Sequence, residues 1–179
     1  MPEILSQEEI DALLEVVDEE ERKEKEIVFK KTTGIEFEEF KKIVIEMVSR
    51  VLTGFTGKDD WEIYECYNAI EHSTAFRTLL GYVEVSNEFA SYFTDRVFGG
   101  EGYTRTEIDE DEIDMMKEII GNVLIGLFAE LNEKYNLPTL ENANCVEKVE
   151  DVPFEVFLII TLCFGENKIM KFFIFTNTF

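Results

Sequence analysis

Residues 154–164, "FEVFLIITLCF", and 168–179, "KIMKFFIFTNTF", are two apolar runs separated only by "GEN". β-Branched and aromatic residues at this density, broken by a glycine-containing turn, predict a long terminal hairpin. Its strands are apolar on both faces, so the hairpin must be buried and other elements must cover it.

Three helices are available as cover. Phe37, Phe40, Val44, Met47 and Val51 recur at alternating spacings of three and four, which predicts an amphipathic helix ending near Gly54. Ser86 or Asn87 can cap a short helix over "EFASYFTDRVF", and Gly99 with Gly100 can stop it in the left-handed conformation. Asp109 can cap the longest, "DEDEIDMMKEIIGNVLIGLFAELNEKYNL". Its first turn is acidic, as the helix dipole favours, and Pro138 marks where it has ended. "DDWEIYECYNAIE" and "AFRTLLGYVEV", on either side of a polar turn, read as two further strands of one hairpin. Three body helices and about five hairpin-connected strands predict an α+β domain with a largely antiparallel sheet packed with helices.

Charge narrows the partners. The 39 acidic and 17 basic residues leave a net charge of −22, a surface that repels phosphate backbones and anionic lipid heads. Nucleic acid and membrane are therefore excluded as partners. No apolar run approaches the roughly 18 residues needed to cross a bilayer, and Met1-Pro2-Glu3 does not begin a signal peptide, so a cytoplasmic location is expected. Cys66, Cys145 and Cys163 are odd in number, widely spaced and set among apolar neighbours, which predicts reduced, buried thiols. His72, the single histidine, reads as a solvated turn residue, and no phosphate-binding loop or nucleophile elbow is present.

The N-terminus has a separate character. In "ILSQEEIDALL", Ser6 and Glu9 have the spacing of a capping box, and Leu5 with Ile10 that of a hydrophobic staple. Ile10, Leu13, Leu14 and Val17 continue the apolar stripe. Residues 18–26 then offer no apolar side chain, and the run reads as a solvated helix extension or a flexible tether. The expected organisation is a peptide at 1–17, a charged linker at 18–33 and a folded domain at 34–179.

On the long helix, Ile113, Met116, Ile120, Val123, Leu127 and Leu131 gather on the core side. Asp114, Glu118 and Asn122, at steps of four, form a polar stripe on the opposite side, with Ile125 pointing outward beside them. Such residues are ordinarily solvated surface. Gly121 and Gly126 flank Asn122 at a helix-propensity cost of about 1 kcal/mol each, which calls for a close approach by something.

These residues resemble a known family. "ILSQEEIDALL" is similar to the N-terminal peptide of the flagellar switch proteins FliM and FliY, which captures phosphorylated CheY. The resemblance implies that Leu5, Ser6, Ile10, Leu13 and Leu14 contact that partner. The remainder resembles the CheC, CheX and FliY family of CheY phosphatases, through "FTDRVFGGEGY" and "EIIGNVLIG". It implies a CheC-like domain that hydrolyses an aspartyl phosphate, with no cofactor or metal of its own, magnesium being carried by CheY. It also admits association with flagellar switch proteins.

By the same resemblance, Asp114 and Glu118 occupy the first two positions of the catalytic motif, and the amide position falls on Gly121, one residue before Asn122. If Asn122 and Gly126 are matched instead, the Glu position falls on Ile119. The second copy of the motif carried by some members is absent here, because Glu46 is followed three residues later by Ser49 rather than an amide. The alternative implied function is a non-catalytic adaptor or sink for phosphorylated CheY. The aromatic terminal strand is a candidate edge for pairing two copies in a homodimer.

Overall fold

The computed structural model describes residues 4–58, 61–135, 145–153 and 157–175. Among the described residues the chain forms α1 (Gln7–Thr33), α2 (Phe37–Thr56), β1 (Tyr64–Glu65), β2 (Ser73–Arg77), β3 (Gly81–Ser86), α3 (Asn87–Val97), α4 (Glu110–Tyr135), β4 (Glu147–Val149), β5 (Phe157–Cys163) and β6 (Ile169–Phe175). All six strands join one antiparallel sheet in the order β1-β5-β6-β3-β2-β4. The architecture is α+β. No described helix is long and apolar enough to cross a membrane.

Strand alternation sorts the sheet into two faces. Leu158, Ile160 and Leu162 of β5 and Met170, Phe172 and Ile174 of β6 join Phe76, Val83 and Val85 in a core completed by α2, α3 and α4. On the opposite face lie Ile159, Lys171, Phe173, Tyr82 and Glu84, all partly exposed. The terminal hairpin forms, with Gly165 and Asn167 both at positive φ in its turn, but it is buried on one face only, since Ile159, Lys171 and Phe173 remain partly exposed on the other; Phe154, Glu155, Val156 and residues 176–179 lie outside the described residues.

Three expectations need correction. β6 is an interior strand, bonded to β5 on one side and β3 on the other, so it offers no edge to a second copy. The edges are β1 and β4, two and three residues long. "AFRTLLGYVEV" is not one strand but most of a hairpin, β2 and β3, closed where the Thr78 N–H donates to the Gly81 carbonyl at 2.8 Å. "DDWEIYECYNAIE" supplies only β1, which pairs with β5 rather than with that hairpin; Asp59 and Asp60 lie outside the described residues. Finally, Cys66 and Cys163 are joined in a disulfide, and Cys145 is a free, exposed thiol. Pairing β1 with β5 sets their Cα atoms 6.0 Å apart, within bridging range, and spacing along the chain could not show this.

α1 settles the choice left open for residues 18–26: they are helical. Arg22–Glu26 and Glu19–Lys23 pair along the helix at 3.1 and 3.6 Å, and Arg22 reaches Glu38 of α2 at 3.7 Å. Further on, Phe29 is fully buried, edge-on to Phe37 at 5.5 Å and Phe40 at 5.1 Å. Gly34, in the left-handed region at φ 77°, ends the helix.

α4 packs its predicted side inward, with Ile113, Met116, Ile120, Val123, Leu127 and Leu131 all buried. Pro138 lies outside the described residues. Gly126 faces α2, and a Cβ there would sit 2.3 Å from Met47 Sδ. The close approach that this glycine permits is thus internal to the fold. Gly126→Ala gains about 1 kcal/mol of helix propensity but must displace a buried side chain, at about 1–3 kcal/mol. A net loss of about 1 kcal/mol is expected in denaturant unfolding, whereas in a Met47→Ala background the same change should be neutral or stabilising. Equal effects in both backgrounds would remove Met47 as the reason for the glycine.

Candidate functional site

Local chemistry sets the start of α4. The Asp109 carboxylate accepts from the Glu112 N–H at 3.1 Å, and the Glu112 carboxylate accepts from the Asp109 N–H at 2.9 Å, a reciprocal capping box. Arg105 donates to the buried Glu112. With the helix start and its buried side both determined, Asp114, Glu118 and Asn122 are carried to solvent, and all three are exposed. Ile125 is 48% exposed beside them.

The stripe is open rather than enclosed. Asp114 has Lys117 at 4.0 Å, and the Asn122 side-chain amide donates to the Glu118 backbone carbonyl at 2.8 Å. That bond turns one Asn122 N–H back toward its own helix and leaves the Oδ1 and the other N–H for an incoming molecule. On α2, Glu46 is exposed and Ser49 half-buried, with no amide at either position. His72, just before β2, has its Nδ1 3.2 Å from Glu88 Oε1 of α3.

The second exposed feature is the beginning of α1. The Ser6 hydroxyl accepts from the Glu9 N–H at 3.2 Å while Glu9 Oε2 accepts from the Ser6 N–H at 2.7 Å. The Ser6 N–H, then its hydroxyl, hold the Glu9 carboxyl below its ordinary range. The helix beyond presents Ile10, Leu13 and Leu14 at 38%, 53% and 56% exposure, with Leu5 and Val17 also exposed. Ile4, before the helix, and Val16, to one side of the stripe, are further exposed apolar side chains of this segment. Phe98 and Tyr103, on either side of Gly99–Gly102, form another exposed aromatic pair that helical periodicity could not reveal, since they lie in a loop.

The structure therefore keeps the two predicted groups of residues on different elements. α1 lies against α2 and β5, while α4 lies against α2, α3 and β4. Among the described residues no cluster of His, Cys, Asp and Glu could hold a metal ion.

Together these features define an α+β domain that displays an amphipathic helix outside its core. No protein-family model matches the chain, and no curated protein is similar to it in sequence. Among the solved structures to which it is similar, two are informative about the fold. One is a CheC-like superfamily protein from Shewanella sp. PV-4, at 12% identity and a TM-score of 0.49, covering 74% of this chain and 93% of that one. The other belongs to the FliG–FliM complex from H. pylori, at 15% identity and a TM-score of 0.45, covering 69% of this chain and 82% of that one. Neither likeness bears on the chemistry of the exposed faces.

Proposed function

We propose that this protein is a bacterial chemotaxis component that captures phosphorylated CheY through the first turns of α1 and hydrolyses its aspartyl phosphate at Glu118 and Asn122. The observation that carries this reading is the exposed stripe of Ile10, Leu13 and Leu14 on a helix whose start is locked by Ser6 and Glu9. An apolar stripe left uncovered on a preformed helix suits helix-in-groove recognition, in which the ordering cost is already met. Its sequence is also the part of the chain that most resembles the switch-protein peptide. Association with flagellar switch proteins belongs to the same reading.

For hydrolysis, a water must attack phosphorus in line with the bond to the aspartyl oxygen. That bond breaks, and the aspartate leaves as a carboxylate. Asn122 would orient the water through its free Oδ1, and Glu118 would engage a cationic group of the partner that flanks the phosphate. Asp114 extends the same acidic face. Magnesium would arrive with CheY, and this chain would contribute no metal.

A second reading, capture without turnover, is favoured by the hydrogen bond that holds the Asn122 amide to its own helix. Timing phosphate loss from phosphorylated CheY with magnesium present separates the two. The phosphatase reading expects acceleration over autodephosphorylation, and a drop of about a hundredfold in that acceleration for Asn122→Ala, the scale on which misplacing a reacting group acts. Capture alone expects binding with no acceleration and no effect of Asn122→Ala on the rate.

A further inference from the structure

The sheet edge beside α1 is held by a covalent bond as well as by strand pairing. β1 contributes two residue pairs, Tyr64 opposite Cys163 and Glu65 opposite Leu162, and the Cys66 N–H adds a bond to the Thr161 carbonyl at 3.0 Å. So short a strand is marginal by itself. Glu65 also receives Lys41 of α2 at 3.3 Å. The disulfide between Cys66 and Cys163 spans a separation of 97 residues and is the strongest tie at this edge.

The bridge leads directly to α1. Tyr67, the next residue, comes close to Arg22 of α1, which pairs with Glu26 and Glu38. Arg22, Lys25, Cys66 and Tyr67 share the wall of a cavity of about 320 Å³ that opens between α1 and β5. Cys66 is half-buried there, whereas Cys163 is fully buried. A reductant can therefore reach one sulfur of the pair, and accessible bridges are the labile, regulatory kind. Cys145 cannot exchange with the pair inside one molecule. It precedes β4, at the other edge of the sheet, five strand spacings or about 24 Å away.

We propose that Cys66–Cys163 is a reversible thiol–disulfide site whose reduction unlatches the middle of α1 from the sheet. The thiolate of a dithiol attacks Cys66 Sγ, forming a mixed disulfide as Cys163 leaves. The second thiol of the reductant then attacks its own mixed disulfide and releases Cys66. The reductant departs as a disulfide, oxidised by two electrons, and its two protons end on Cys66 and Cys163. With the bridge open, β1 is held by its few backbone bonds, by Lys41 and by the weak contact of Asn68 Nδ2 with Cys163 Sγ at 3.7 Å, so that Cys66 and Tyr67 can move away from the cavity wall they share with Arg22.

Amide hydrogen exchange on the full chain, oxidised and after dithiothreitol, tests this directly and requires no partner. Exchange in residues 20–28 of α1 and 64–68 around β1 should accelerate about tenfold on reduction, with a smaller change in the core of α4. The Cys66→Ser/Cys163→Ser chain should resemble the reduced protein with or without dithiothreitol, and Cys145→Ser should keep the full redox dependence. Equal exchange in the two states would overturn the proposal, as would an acceleration in α4 as large as that in α1. Three titratable thiols in the oxidised protein would overturn it as well.

Discussion

Replacing Ile10 and Leu13 together with Ala is expected to weaken capture of phosphorylated CheY by about a hundredfold. Each truncation removes an apolar anchor, and anchors of this kind contribute about 1–2 kcal/mol apiece to helix-in-groove binding. Both side chains are exposed in the free protein and contribute nothing to its core. Alanine is the best helix former, so α1 should persist, and the loss can be assigned to the interface. Titration against phosphorylated CheY, with helicity followed by circular dichroism, measures the two effects separately. Unchanged affinity with helix content intact would mean that the stripe is not a recognition surface. Redox dependence of α1 could survive that result, because the Cys66–Cys163 latch does not depend on what the stripe binds.

Phe29→Ala is expected to be the most destabilising truncation in α1, at about 3–5 kcal/mol, the usual cost of removing a buried phenyl ring. The ring is fully enclosed and meets Phe37 and Phe40 edge-on, and it is the point at which a largely solvated helix joins the core. Its loss should lower the denaturant midpoint of the whole chain and also loosen the exposed half of α1, which then has Arg22 as its main remaining tie to the body. Val28→Ala, one residue away and exposed, should change stability by no more than about 0.5 kcal/mol. If the two variants unfold alike, the second half of α1 is not part of the cooperative core.

The disulfide illustrates how a sound compositional rule fails. Odd, widely spaced cysteines among apolar neighbours normally remain thiols, yet the register of β1 on β5 brings together two that are 97 residues apart. The hydrophobic run of β6 illustrates another. Its composition suggested an exposed aromatic edge, but bonding on both flanks places it inside the sheet. Gly126 is a third case. A helix-breaking residue beside Asn122 suggested an external visitor, and the neighbour proves to be Met47.

What the residues determined unaided is whatever depends on near neighbours in the chain. The caps at Ser6 and Asp109, the choice of Ser86 or Asn87 to start α3, of which Ser86 takes the role, and the buried and solvent sides of α4 all follow from side chains three or four residues apart meeting each other or the backbone. Tertiary structure alone decided which strands flank β6, that Cys66 meets Cys163, and that Phe29 docks α1 onto the body. Those outcomes depend on how strand pairings and packed faces compete across the whole core, and no local spacing encodes the winner.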